Sequence, residues 1–256
     1  MLKSNRELDI MRRANGVVAE VLDLISEAAV PGATTLDLDE LAKAHLFERN
    51  AGSAFLGYHG YPKVLCSSVN EEVVHGIPSK ERVLKEGDIL SVDFGAIVDG
   101  YVGDSARTLL IGEVDEEKRA LVKVTRDSLY AAIEACQSGN RLRDVSGAVE
   151  DVVTPHGYGI VRDFVGHGIG RKMHEAPQVA NFRTSGRESA LRLRPGLVIA
   201  IEPMVNAGTA DVKVLDDGWT AVTADGRPSA HWEHSIAITE KGPWILSDPD
   251  HPDPRG

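Results

Sequence analysis

The sequence predicts an α+β fold of two similar halves, with a central antiparallel sheet and helices outside. Three observations carry that reading. First, LKEGDILSVDF from Leu84 and LRPGLVIAIEP from Leu193 align at an offset of 109 residues, with glycine at the fourth place of each and Asp93 falling on Glu202. Second, the order helix, helix, His-Gly-Ile, acid-ended strand occurs twice, with His75 in the first copy and His167 in the second. Third, Glu86 to Thr108 reads as a strand, a tight turn and a returning strand. A repeat this long is not a solenoid unit. It predicts two halves packed face to face, about 1–112 and 113–247, whose acid-ended strands share one central site within a single domain spanning 1–256.

Each element has a local reason. Ser4-Asn-Arg-Glu7 fits a capping box, and Leu8, Met11, Val18, Val21, Leu22 and Ile25 follow at helical spacing. Pro31-Gly32 stops that helix. A second helix is expected near Leu36 to Asn50. An aromatic, glycine-rich loop follows, FLGYHGYPK from Phe55 to Lys63. In the second half, helices are expected over Glu116–Cys136 and Leu142–Thr154, with Ser138-Gly139 between them. A closing strand is expected from His231 to Thr239, with Glu233 on the face of Ser235 and Ala237. The last residues, DPDHPDPRG, read as a loose tail over 248–256.

The hairpin is the most informative stretch. Ile89, Ser91 and Asp93 alternate with Leu90, Val92 and Phe94, and Asp99-Gly100 is a two-residue turn signal. Folding the chain there sets Val98 opposite Tyr101 and Asp104 opposite Gly95, with Asp93 the diagonal neighbour of Asp104 on the same face. Two carboxylates side by side repel each other, and a metal pair about 3.5–4 Å apart fits such a gap. Asp99 is an ordinary solvated turn residue. Asp93 differs, because it follows an apolar run that must be buried, and a lone buried carboxylate is costly.

Composition excludes several classes. The chain has 256 residues and 42% hydrophobic residues, enough for a sizeable core. No apolar run approaches the roughly 18–20 residues of a membrane helix, and MLKSNRELDI lacks the apolar region of a secretory signal. Two cysteines do not make a disulfide framework, which suits a reducing cytoplasm. With 28 Lys and Arg against 39 Asp and Glu, the net charge is −11, which argues against nucleic acid as the principal and specific ligand, and no membrane partner is expected.

Asp93, Asp104, His167, Glu202 and Glu233 then form a set of four carboxylates and one imidazole. Oxygen and nitrogen donors suit a pair of Mn, Fe, Co or Zn ions, and the absence of thiolates argues against a structural zinc site. Such a pair lowers the pKa of water held between the ions and so supplies a nucleophile. His75 and His174 remain outside the ligand set. His59, His156, His231 and His251 carry no argument beyond packing or solvation.

The assembled pattern resembles the type I methionine aminopeptidases of the pita-bread (creatinase/aminopeptidase) fold. The motifs are GYHGYPK, NEEVVHGIP, GDILSVDFGAIVDGYVGDSART, GHGIGRKMHEAPQV, IEPM and EHSIAIT, and the likeness covers nearly the whole chain. It implies one catalytic domain that removes the N-terminal methionine from newly made proteins when the second residue is small and uncharged. It implies that Asp104 and Glu233 bridge two divalent ions, that Asp93 completes one and that His167 with Glu202 completes the other. It implies that His75 and His174 contact the substrate, that Glu202 shuttles a proton, and that Tyr58, Tyr61, Cys66 and Trp219 receive the methionine side chain. Asn70 and Ser229 match a monovalent-cation site. Nascent chains are the implied partner, with the ribosome surface a further one, for a cytoplasmic monomer. Phe55 and Met173 depart from the family pattern, a small thiol and a Phe being common there. The competing readings are a proline-directed peptidase of the same fold, which ordinarily carries an extra N-terminal domain, and a binding protein that kept the fold and lost the chemistry.

Overall fold

The capping box forms as read. In the computed structural model, which describes residues 2–255, Ser4 and Glu7 cap α1 (Asn5–Ala28) reciprocally. Thr34 and Asp37 do the same for α2 (Thr35–Glu48). After them come β1 (Gly52–Ser53), a 3₁₀ turn at Tyr58–Gly60, β2 (Leu65–Val69), β3 (Glu72–Val74), β4 (Ile89–Val98) and β5 (Tyr101–Leu110). The second half contains α3 (Glu116–Glu134), α4 (Leu142–Val153), β6 (Gly159–Ile160), β7 (Gly166–Gly168), β8 (Glu175–Val179) and β9 (Val198–Ile201). It closes with β10 (Met204–Asn206), β11 (Val212–Val214), β12 (Ala221–Thr223), β13 (Ser229–His231), β14 (Glu233–Thr239) and β15 (Gly242–Ile245). The helices end within two residues of the expected bounds, as fraying ends commonly do.

The main sheet runs β1-β4-β5-β14-β9-β7-β8, with β2 also on β4 and β15 also on β14. This is the pita-bread fold: one curled antiparallel sheet with helices behind it. The hairpin pairs Val98 with Tyr101 and Gly95 with Asp104, the register that the Asp99-Gly100 turn predicts. One helix pair backs each side. Val18, Leu22 and Ile25 of α1 and Leu38 of α2 pack on Leu90, Val92 and Phe94. Leu121 and Leu129 of α3 and Val145 and Val149 of α4 pack on Ile199, Ile201 and Ile236. Each such buried side chain contributes about 1.5–3 kcal/mol of transfer free energy, so the sheet is anchored from behind and its front face is free to carry polar groups.

α1 comes close enough to β5 to matter for the site. A Cβ on Gly103 would lie 2.5 Å from the Asn15 nitrogen, so only glycine allows this approach. It lets the buried Asn15 side chain accept the Asp104 N–H at 3.2 Å. The seam between the halves, β5 against β14, has only two paired positions, and hydroxyls extend it. Ser105 donates to the Glu233 carbonyl, Ser235 to the Asp104 carbonyl and Thr108 to the His231 carbonyl, at 2.6–2.9 Å.

Three expectations change. The closing strand is broken at Trp232, whose N–H turns to the Pro203 carbonyl. The tail is not loose: Arg12 donates to five carbonyls from Ile245 to His251. Arg255 stacks on Trp244 at 4.3 Å and pairs with Asp9. A run of Asp and Pro read as loose is thus strapped down by the distant Arg12 guanidinium and pinned by the tail's own Arg255. Lastly, the two His-Gly-Ile segments are not equivalent in the sheet. His167 lies in β7 and is paired with Ala200 of β9. His75-Gly76 lies one strand further out, with the Gly76 carbonyl accepting from Ser67 of β2.

Candidate active site and metal centre

Register alone sets most of the site. Cys66 in β2 is paired with Asp93 in β4, Asp93 with Ala106 in β5, and Ala106 with Glu233 in β14. Antiparallel partners point to one face, so these four side chains form a row. On either side of the break at Pro203 and Trp232 the pairing keeps step, Ile201 with His234 and Met204 with His231. Glu202 therefore stands opposite Glu233 and ends the row. Asp104 is two residues from Ala106, and His167 is paired with Ala200, two residues before Glu202, so both occupy an adjacent row on the same face. The room between the carboxylates comes from the small Ala106 between Asp93 and Glu233, and not from Gly95, the residue opposite Asp104. A Cβ on Gly95 would lie 2.8 Å from the Phe55 ring, which fills that space.

The five side chains converge. Ligand atoms of Asp104, His167 and Glu233 lie within 4.8 Å of one another. His167 Nε2 is 3.8 Å from Asp104 Oδ2 and 3.5 Å from Glu202 Oε1. His167 Nδ1 lies 3.0 Å from the Gly168 carbonyl; as donor there it turns Nε2, free of a proton, toward the carboxylates. Burial pushes the Asp93 carboxyl up to about 7. Burial first, and then the neighbouring carboxylates, push Asp104, Glu202 and Glu233 well above the usual range. Burial, with His174 beside it, lowers His167 to about 4.

These residues fit a divalent metal. Asp93 Oδ1, Asp104 Oδ1 and Glu233 Oε1 are buried without a hydrogen-bond partner, and no lysine or arginine lines the cavity they face. Buried oxygens left unpaired cost several kcal/mol, and carboxylates gathered round one imidazole are the donor set of Mn, Fe, Co or Zn.

The cavity, about 380 Å³, brings together every other catalytic and pocket residue read from the sequence. Tyr58 and Tyr61 come from the aromatic loop, and Asp39 fixes the end of that loop by accepting the Val64 and Leu65 N–H groups. The Tyr61 hydroxyl donates to the Leu65 and Gly76 carbonyls, tying the wall to β2 and to His75. Trp219 meets Tyr61 edge-on at 5.1 Å. Burial raises the Cys66 thiol, so it stays neutral there. His75 sits in left-handed backbone, φ 62°, between Phe164 and Trp219, and burial lowers it to about 4. The Tyr58 hydroxyl and His174 Nδ1 are 2.7 Å apart across the mouth, and burial lowers the His174 pKa. Phe55 and Met173, the two departures, also line the cavity.

Asn70 and Ser229 meet through a backbone hydrogen bond, and the Asn70 side chain is held by Asp88 and by the Ile89 N–H. Sequence reasoning missed His231. It is buried, with Nε2 3.9 Å from Glu202 Oε2 and no hydrogen-bond partner, and burial lowers it to about 3. Its place two residues before Glu233, hence on the same face, was the available signal. Phe164, Gln178 and Met204 also line the cavity, from loops and short strands with no pattern of their own.

The description "Metallopeptidase family M24" matches residues 9–240. The chain belongs to metallopeptidase family M24. A methionine aminopeptidase of Clostridium acetobutylicum is 50% identical over 247 residues, covering 96% of this chain and 98% of that protein. Methionine aminopeptidase 1 of Bacillus subtilis is 45% identical at the same coverage of both chains. The crystal structure of the Thermotoga maritima methionine aminopeptidase superposes with TM-score 0.94 at 46% identity, over 97% of this chain and 99% of that one. The prolidase of Pyrococcus horikoshii reaches TM-score 0.76 at 20% identity and has only 64% of its length covered, which is a likeness of fold alone. In this M24 chain no helix among the described residues is long and apolar enough to cross a membrane.

Proposed function

We propose that this metallopeptidase is a methionyl aminopeptidase that removes the N-terminal methionine from new proteins whose second residue is small and uncharged. The observation that carries the reading is one cavity with two unlike ends: an apolar wall of Tyr58, Tyr61, Cys66 and Trp219, and a floor of four carboxylates, Asp104 and Glu233 buried and Asp93 and Glu202 half-buried, with an imidazole. A flexible thioether suits such a wall.

Asp93, Asp104, His167, Glu202 and Glu233 are the residues that would hold a pair of divalent ions, with Asp104 and Glu233 at the seam as the ligands common to both halves. The ions, of the Mn, Fe, Co or Zn kind, lower the pKa of water and polarise a carbonyl. Glu202 carries a proton toward the leaving amine. His174 donates to the oxyanion, because a Tyr58 hydroxyl donating to Nδ1 leaves the imidazole proton on Nε2. His75 holds the scissile amide, and its burial keeps it neutral. Asn70 and Ser229 form a monovalent-cation site. The enzyme works as a cytoplasmic monomer on nascent chains near the ribosome surface.

The test is a peptide panel, assayed after chelation with each of Mn, Fe, Co, Zn and Ni restored. Met-Gly, Met-Ala and Met-Ser peptides should be cut well and Met-Lys or Met-Leu peptides poorly. N-acetyl-Met-Ala peptides should not be cut. Preference for Ala-Pro over Met-Ala would replace this reading with a proline-directed one, and a panel silent under every metal would replace it with a binding protein.

A further inference from the structure

The surface that the substrate meets does not end at the metal ligands. A second hollow, of about 430 Å³, adjoins the cavity, and Asp163, Val165 and Gln178 line both. The residues that close the apolar end of the cavity contribute nothing to this junction. Gln178 is the register partner of His167, and β8, which carries it, is the last strand of the sheet on that side. A chain whose first side chain lies against Tyr61 and Trp219 therefore leaves past His167 and over Gln178. The far wall of the hollow lies within residues 180–189, in the insertion that the first half lacks.

Charge gives the hollow a preference. Arg162 lies with its guanidinium carbon 5.0 Å over the Phe182 ring, a cation–π contact that holds the head group of an otherwise exposed side chain. Arg187 stands on the rim. Among the described residues neither guanidinium has an ion-pair partner, whereas neighbouring Arg183 is held by Glu150 and Asp151. Asp163 and Glu188 also line the hollow, so the group that selects is the one held in place.

We propose that this hollow binds the third to fifth residues of the substrate chain and that Arg162 favours an acidic side chain among them. The inference rests on the aminopeptidase reading above. It is tested with the hexapeptide amides Met-Ala-Ser-Glu-Glu-Ser and Met-Ala-Ser-Lys-Lys-Ser, with wild type, Arg162→Ala and Arg162→Glu. Arg162 is exposed, so both substitutions leave the core untouched. The wild type should cut the Glu peptide faster by roughly two- to fivefold in kcat/KM, the size of a solvent-exposed ion pair. Arg162→Ala should remove that ratio and Arg162→Glu should reverse it, and the ratios of the wild type and of Arg162→Glu should both shrink toward one as salt is added. Equal rates on the two peptides in the wild type, or a Glu preference that survives Arg162→Glu, would overturn the assignment. Failure of the wild type to cut even Met-Ala-Ser amide would instead bring down the aminopeptidase reading, and this inference with it.

Discussion

The two halves offer the site the same strands and different neighbours. Asp93 and Glu202 occupy matching strand positions, and Asp104 and Glu233 lie on the two strands that meet at the seam. The outer strands then diverge. Ser91 and Ala200 correspond at the 109-residue offset, yet Ser91 is faced by Ser68 of β2 and Ala200 by His167 of β7. The first half thus ends in a thiol and an aromatic wall, and the second in an imidazole and an inserted segment. Matching strands place the carboxylates, and the unmatched flanks give the substrate a direction.

The largest break in this comparison is at the seam. Asp104→Ala or Glu233→Ala removes a side chain on which both halves depend. Turnover should nearly vanish and metal affinity should fall by more than the roughly 10–100-fold that loss of an outer-shell partner costs. Metal analysis by mass spectrometry alongside the rate decides it; an Asp104→Ala protein with wild-type metal content would show that the carboxylate is not shared.

His174 separates the second half's ligand from its donor. It lies seven residues after His167, with ring centroids 4.2 Å apart. His174→Ala should lower kcat by roughly 10²–10³ while metal stoichiometry holds. Metal lost in that variant would mean that the two histidines have been exchanged in this account.

The aromatic wall, which the first half supplies through Tyr58 and Tyr61 and the second completes through Trp219, should set what is cut. Exchanging Met for Leu at the N-terminus of a Met-Ala peptide should cost roughly 1–3 kcal/mol, about 10- to 200-fold in kcat/KM. Trp219→Ala should narrow that ratio, because it removes the ring against Tyr61. A ratio that Trp219→Ala leaves intact would place the methionine side chain elsewhere.

The smallest effect contrasts the two faces of the seam. His234, behind Glu233, is buried against Ser247, with Nδ1 2.7 Å from its hydroxyl, and burial lowers it from 6.5 to about 4. A histidine depressed in the folded state contributes stability above pH 6.5 and loses it as pH falls toward 4, because the unfolded chain then binds the extra proton. Between pH 7.5 and 5.5 this loss is about 1.4 kcal/mol. Thermal unfolding of the chelated protein at both pH values should show that much less acid sensitivity in His234→Gln than in the wild type. An equal acid slope in the two would show that His234 titrates normally.

The hairpin register, the capping box of the first helix and the doubled strand were all legible in the residues, because turn chemistry, caps and alternation act within a few positions. With them came the placing of Asp93 and Asp104 on one face, since the side-chain period of a strand is two. What could not be read locally was which strands become neighbours. The order β5-β14-β9 puts Glu233 beside Ala106, seats His167 beside Ala200 while sending His75 one strand outward, and brings His231 to Glu202. The same holds for the Phe55 ring over Gly95 and the Arg12 guanidinium that straps the tail. Each of these contacts joins residues far apart along the chain, and only packing of the two helix-backed halves selects among the many pairings that local pattern allows.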